Sequence, residues 1–554
     1  MVNNFKRGID KLMWDQVPPL LNAHAVGGSV CSDLRNNIFR NPFIYQLVSA
    51  AILNRFNVIT KASQGPVANP ALGGTFGAGA ASVFAPSQGL KGNIGSGSTA
   101  SRIVIGTAFP TAIGVNMLAN RGGSGDYGFI LRVINKTTGR TEERVITGNS
   151  GGTTPSITVG EAFSNPPSNT DQYEILAGRV FMLSAGAIAA SSFRSFEVAT
   201  NFLANGGTAN LPTITTDSSI VALDEQYVPF DCFPGEGMIK GATTYNTITG
   251  ILGGSNLVLK ALSATAAAAG SITGSITGDD SAVLANEFRN FQIRIVQDLT
   301  TPAAVGQRAI ISSHTAGNPT VSAPIYSLGA NWAVTPSANA KFVIELPNLL
   351  VLRTSASTTT YTYNYNDTAY NNGTTNLAAN TWSSTLFGVG PAVSGAGCML
   401  APAFGIRPDA DKNSRNSHLF FFRGGGSTVL DLLDIAGGVN GAWSSSVLYD
   451  GTSFAFNTGS CGCYAPFDDT GRMFYINGYV ASAINQMYRF DVRNRVLSPH
   501  SAPDVLQTVA AVAGGRIACY AAIDGGAVPA TDLYNIAFMQ VLGGVIAMEL
   551  LDLI

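Results

Sequence analysis

Four histidines, His24, His314, His418 and His500, stand far apart in the chain, with no pair at the i, i+4 spacing that would set two imidazoles on one helix face. Asp409-Ala-Asp411-Lys-Asn413 places three oxygen ligands on alternate positions, as a calcium loop does. Ser414 stands where such a loop has its turning glycine and Phe420 where it has its bidentate glutamate, so the segment reads as a polar inter-strand loop. The adjacent carboxylates Asp279-Asp280 and Asp468-Asp469 would point to opposite faces of a strand, a poor geometry for an acid and a base. Cys461-Gly-Cys463 lacks the two-residue spacer of a redox or zinc pair, and the six cysteines (Cys31, Cys232, Cys398, Cys461, Cys463, Cys519) read as small hydrophobes. Gly424-Gly-Gly426 follows Arg423 without the lysine of a phosphate loop, and His-Glu-x-x-His does not occur. The sequons at Asn135, Asn366 and Asn372 are of the number that an Asn- and Thr-rich chain produces by chance. Arginines recur beside presumptive strands at Arg179, Arg353, Arg423, Arg472 and Arg489, where they offer a surface for DNA or a protein. No catalytic, cofactor-binding or metal-ligating residue is assigned, and the expectation is that the chain is not an enzyme and takes no cofactor.

The elements around these residues are strands. The 554 residues contain 62 Gly, 45% hydrophobic and only 12% charged residues, with a net charge of −2. Disorder through charge and a global basic field for nucleic acid are both excluded. No apolar run reaches the roughly 18 residues of a membrane span, and Met1 to Met13 has no apolar core of a signal peptide, so the expectation is assembly in a cytoplasm. Short apolar stretches broken by Gly, Ser, Thr, Asn and Pro give a mainly β chain, with helical periodicity only near Gly8 to Leu21 and Phe43 to Asn54. Tyr361-Thr-Tyr-Asn-Tyr365 alternates strictly, as a half-buried strand does.

Self-similarity organises the strands at two levels. Leu90-Lys91, Leu118-Ala-Asn120, Phe129-Ile-Leu-Arg132-Val133 and Tyr173-Glu-Ile-Leu176 are repeated about 170 residues on. The second copies are Leu259-Lys260, Leu284-Ala-Asn286, Phe291-Gln-Ile-Arg294-Ile295 and Phe342-Val-Ile-Glu-Leu346, which makes a duplicated β module. Around the modules, Gly178-Arg-Val-Phe-Met-Leu183 with Phe193 to Asn201 is echoed by Gly471-Arg-Met-Phe-Tyr-Ile476 with Met487 to Asn494. Looser copies start at Leu349, His418 and Arg516. Strand, glycine turn and strand, with a Trp some way on, is the grammar of kelch-like propeller blades. The fold class expected is therefore a mainly β, kelch-like β-propeller interrupted between blades by two duplicated β-rich inserted domains. Five blades are legible, and the N-terminal segment supplies or completes another. The divisions are 1–63 (N-terminal segment of the propeller), 64–177 (module A), 178–240 (propeller), 241–347 (module B) and 348–554 (remaining blades).

A duplicated module whose tail carries Trp332 to Pro336 and Phe342-Val-Ile-Glu-Leu346, in a Gly/Ala/Thr/Asn-rich chain of low charge, resembles virion structural proteins of tailed bacteriophages. Blades interrupted by β lobes resemble, more narrowly, the tail nozzle proteins of short-tailed phages. The resemblance is architectural and carries no functional residue over. It implies a homo-oligomeric ring in the virion tail that extends the DNA channel, with copies of itself, portal or adaptor, and fibre or spike proteins as partners and DNA as transient cargo. The C-terminal apolar stretch Val545 to Leu551 is a candidate for the ring contacts. The alternatives are another virion component, such as a fibre-attachment, neck or capsid-associated protein, and a glycan-binding or glycan-cleaving propeller.

Overall fold

The computed structural model describes residues 14–16, 29–32, 43–48, 52–57, 62–68, 80–85, 89–120, 128–184, 188–189, 192–214, 218–223, 258–276, 282–395, 398–402, 418–447, 461–465, 473–479, 485–491, 496–499, 516–521, 534–542 and 545–552. Among these residues are six four-stranded antiparallel sheets in chain order, the blades of a propeller. Blade 1 is Ser29–Ser32, Phe43–Val48, Ile52–Asn57 and Ala62–Gln64, and blade 2 is Ala81–Ala85, Arg179–Leu183, Phe193–Glu197 and Phe202–Asn205. Blade 3 is Ser218–Ala222, Leu349–Thr354, Thr360–Asn364 and Thr381–Ser383, and blade 4 is Met399–Pro402, His418–Phe422, Val429–Asp434 and Ala442–Val447. Blade 5 is Cys461–Ala465, Met473–Tyr479, Asn485–Asp491 and Val496–Pro499. Blade 6 takes Arg516–Ala521, Tyr534–Leu542 and Val545–Asp552 from the C-terminal part and Trp14–Gln16 from the N-terminal part. Trp14 pairs with Leu551 and Gln16 with Glu549, so one blade is shared by the two ends and the ring is closed.

Each first strand abuts the first strand of the next blade, and the sixth abuts the first, so these six surround the axis. Crowding there explains their composition. Ser29-Val-Cys31 and Ala81-Ser-Val-Phe-Ala85 are rich in side chains small enough for strands to converge. Ser29 and Ser82 share a 2.8 Å hydroxyl bond between blades 1 and 2, and the Leu400 N–H donates to Ser219 Oγ at 2.8 Å between blades 4 and 3.

Two lobes interrupt this ring inside blades rather than between them. Ala81–Ala85 pairs directly with Arg179–Leu183, so lobe A lies between the first and second strands of blade 2, and its start moves from residue 64 to beyond Ala85. Ser218–Ala222 pairs likewise with Leu349–Thr354, and lobe B lies between the same two strands of blade 3. Equivalent insertion points put both lobes on one face of the propeller.

Lobe A comprises Lys91–Asn93, Arg102–Val104, Ile130–Asn135, Arg140–Asn149, Ser156–Val159 and Gln172–Leu176. Lobe B comprises Val258–Ala268, Ser271–Gly274, Gln292–Gln297, Arg308–His314, Ile325–Leu328 and Lys341–Glu345. In both the spatial order is first, sixth, third, fourth, fifth, second. Lobe B closes as a barrel, and in lobe A an Ile94–Ile105 bridge joins the edges. The registers make Arg132 equivalent to Arg294, since Arg132 faces Glu174 on the sixth strand and Arg294 faces Val343 there.

The Leu-Ala-Asn match is out of step by four. Asn116 and Asn286 are the equivalents: both have φ of 59°, and their Oδ1 atoms accept from the N–H groups of Asn149 and His314. The helical reading of Phe43 to Asn54 is also corrected, because Phe43–Val48 and Ile52–Asn57 pair as a hairpin with Leu47 opposite Leu53. Its buried residues satisfy both periods, and tertiary pairing decides. Among the described residues the one helical turn is 3₁₀, Pro302–Ala304.

Three apolar clusters hold the assembly. One runs from lobe A into blades 1 and 2 through Leu131, Tyr173, Phe84 and Tyr45, and another from lobe B into blades 3 and 4 through Phe342, Leu349 and Phe421. Between blades 2 and 3, Phe181, Phe193, Tyr363 and Trp382 pack with ring centroids 4.7–6.0 Å apart. Each lobe thus shares its core with the propeller and is fixed to it.

Candidate functional site

Charge, scarce elsewhere in the chain, concentrates where the lobes meet. In lobe A the antiparallel registers align Lys91, Glu174, Arg132 and Glu143 on four neighbouring strands, an alternating row on one face. Arg132 donates to Glu143 Oε1 at 2.7 Å and to Glu174 Oε2 at 2.9 Å, all three side chains being almost wholly buried. Burial alone would lower the Arg132 pKa; the two carboxylates reverse this and raise it. Burial likewise pushes Glu174 up, and Arg132, Arg308 and Lys91 bring it below its ordinary value. In lobe B Arg294 donates to Glu345 Oε1 at 2.9 Å, and Gln292 donates to Glu345 Oε2 at 3.2 Å.

These two faces confront each other. Glu345 acts on Arg132 and Glu174 on Arg294 across the boundary, the Asp298 N–H donates to Gly139 O at 2.9 Å, and Lys136 Nζ donates to Val305 O. Blade 3 completes the layer with Asp367, 2.9 Å from Lys91. Four cations (Lys91, Arg132, Arg294, Arg308) therefore stand among four carboxylates (Glu143, Glu174, Glu345, Asp367). With Glu174 and Asp367 held below the ordinary carboxylate range, neither is poised as a proton donor near neutral pH. The chemistry of this layer is that of a lock, in which breaking one partner leaves buried charge behind. Sequence reasoning missed it because each residue alone reads as the wet side of a strand; the Arg132/Arg294 repetition was the available signal.

The blade arginines turn inward. Arg179 pairs with Glu197 at 2.8 Å, and Arg423 grips Asp431 at 2.7 and 3.0 Å with Ser445 beside it. Arg353, 0% exposed, donates to the carbonyls of Thr358 and Ala392 and lies over Phe421 and Trp443 of blade 4; burial brings its pKa down to about 10. These three join strands and blades, so the expected nucleic-acid or partner surface is corrected for them. Arg489 is on the third strand of blade 5, and Arg472 lies outside the described residues. A Cβ on Gly390 would stand 1.9 Å from Arg353 Nη1. Gly390→Ala is therefore expected to cost about 1–3 kcal/mol in thermal melting, and Arg353→Met in the same chain to recover part of it.

Gly424, Gly425 and Gly426 all have positive φ (69°, 63° and 80°), a left-handed run that only glycine takes freely, so this stretch is a turn. Gly148-Asn-Ser150-Gly-Gly152 has the spacing of a hydrolase elbow, yet Ser150 joins two strands and its Oγ accepts from the Ser156 N–H. The sequon asparagines are 3–6% exposed, and Asn135 and Asn372 cap the N–H groups of the two residues at their own turns. Cys31 and Cys398 are buried. His418 begins the second strand of blade 4. His24, His500, Cys232, 279–280, 409–413 and 468–469 lie outside the described residues. Among the described residues no three His, Cys, Asp or Glu side chains converge as metal ligands, and no helix is long and apolar enough to cross a membrane.

His314 takes the place that Asn149 has in lobe A. Asn149 Oδ1 accepts from the Leu118 N–H at 2.8 Å, and His314 Nε2 accepts from the Phe288 N–H at 2.9 Å. Nδ1 therefore carries the proton and donates to Thr315 O at 3.0 Å. Burial pushes the His314 pKa down to about 4. Above the unfolded value near 6.5 both states are neutral; as pH falls towards 4 only the unfolded chain gains the proton, so stability is lost across that window, by about 3 kcal/mol. His314→Asn is expected to flatten this part of the pH dependence in denaturant titrations.

No family model matches the chain, and no curated protein matches it. Solved structures similar to it include a mutant α-L-arabinofuranosidase, Arb93A, from Fusarium graminearum (9% identity, 68% of this chain and 90% of that one, TM-score 0.21). Others are the NanB sialidase of Streptococcus pneumoniae (10%, 96% and 92%, 0.22) and a Niastella koreensis GH74 enzyme (12%, 94% and 82%, 0.16). The expectation that the chain is not an enzyme is corrected on this finding, since these solved structures are by name an arabinofuranosidase, a sialidase and a GH74 enzyme.

Proposed function

We propose that the chain is an assembly subunit of a tailed-phage virion, with the tail nozzle as its place. The observation that supports this is the paired lobe: two copies of one six-stranded module, each sharing a core with the propeller and joined to the other by the Asp298–Gly139 and Lys136–Val305 bonds with buried charge rows facing across the boundary, form a platform on one face of a closed ring. Such a platform suits docking of neighbouring subunits, and the low charge of the chain suits extensive protein contact. A glycan-binding or glycan-cleaving propeller is the second reading, favoured by the names of the solved structures similar to the chain. The described inner strands bring no carboxylate to the axis, so an acid and a base would have to come from the connections above it. Mixing the purified chain with portal–adaptor complexes and imaging the product separates the readings. A ring added below the adaptor is the expected result; absence of binding, with cleavage of oligosaccharides by the same preparation, would replace it by the second reading.

A further inference from the structure

Lobe B breaks the charge alternation of lobe A at one position. Glu143, which accepts from Arg132 across the third and fourth strands, is replaced in lobe B by Arg308, directly opposite Arg294. Like charges facing each other across neighbouring strands destabilise a sheet unless something of opposite sign lies between them. Glu345 is engaged by Arg294 and Gln292, Asp367 by Lys91, and Glu143 and Glu174 by Arg132. Among the described residues no carboxylate pairs with Arg308, and its Nε is buried without a hydrogen-bond partner. A cavity of about 20 Å³ adjoins it, walled by Arg308, Gln292, Asn348, Asn364, Asn366 and Tyr370. That space holds a water-sized particle, and a monoatomic anion is only slightly larger. Glu174 and Asp367 act on Arg308 only from a distance, and water would satisfy a donor there without adding charge against the facing arginines.

We propose that this cavity binds a monoatomic anion of the chloride class, held by the Arg308 guanidinium and placed to offset the Arg294–Arg308 repulsion at the junction of lobe B and blade 3. Lys91 lies on the same side and adds to the positive field, while Glu174 and Asp367 limit the affinity. The test is melting of the purified chain in sodium bromide or chloride against sodium gluconate at one ionic strength, which equalises screening. The wild type is expected to melt about 1–3 °C higher in halide. Arg308→Met, and Arg308→Glu, which copies lobe A, are expected to melt alike in all three salts. Should these variants not fold, bromide-soaked wild-type crystals decide: an anomalous peak within hydrogen-bond reach of Arg308 supports the site. Equal melting of the wild type in all salts, or a water with no anomalous signal at that position, overturns it.

Discussion

Replacing Arg132 with methionine is expected to cost about 3–5 kcal/mol, because Glu143 and Glu174 then keep their burial and lose their counter-charge. Methionine fills much of the vacated space, so the loss reports charge rather than a cavity. In denaturant unfolding followed by far-ultraviolet circular dichroism, the transition that includes lobe A should move to markedly lower denaturant. The triple change Arg132→Met, Glu143→Gln and Glu174→Gln removes the stranded charges and should regain most of the loss. Equal stability of the single and triple variants would show that the row is hydrated and that the lobes are not locked by it.

Removing residues 1–16 is expected to have the second large effect. Trp14–Gln16 is the outermost strand of blade 6, and its loss bares the edge of Val545–Asp552 along Glu549, Leu550 and Leu551. An apolar, unpaired edge of that length invites pairing between chains, so the truncated protein should aggregate or melt far below the wild type. The same register offers a positive control. Gln16 and Glu549 are cross-strand partners, and a Gln16→Cys/Glu549→Cys chain should form a disulfide on mild oxidation, seen as a shifted band without reductant. A truncated chain that melts as the wild type does, together with no cross-link, would mean that the ends do not share a blade.

What the sequence disclosed, and what it concealed, follows from how many residues carry each feature. The duplication was legible because Arg132 and Arg294 sit amid apolar strands with similar spacing on both sides, and the registers make them equivalent. The second and third strands of blades 2, 4, 5 and 6 were legible because each pair has a glycine in or near the connection that joins it. First strands were not. They are only four to six residues long and several are mostly Ser, Ala, Cys and Gly, so they carry no legible period. Missing them placed the insertions between blades rather than inside them. Leu-Ala-Asn misled because identity was matched where the conserved feature is conformational: an asparagine in the left-handed region, Asn116 or Asn286, that caps the fourth strand. The inter-lobe layer was hidden because Lys91, Glu174, Arg132 and Glu143 come together only through four-strand register, which single-strand patterns do not encode.

The mass of the purified chain in solution, by light scattering across a concentration series and again with portal–adaptor complex added, tests the assembly role most directly. A particle that is a fixed multiple of 57.5 kDa, alone or on the complex, is the expected result. A mass of 57.5 kDa at every concentration, unchanged by the complex, would contradict it.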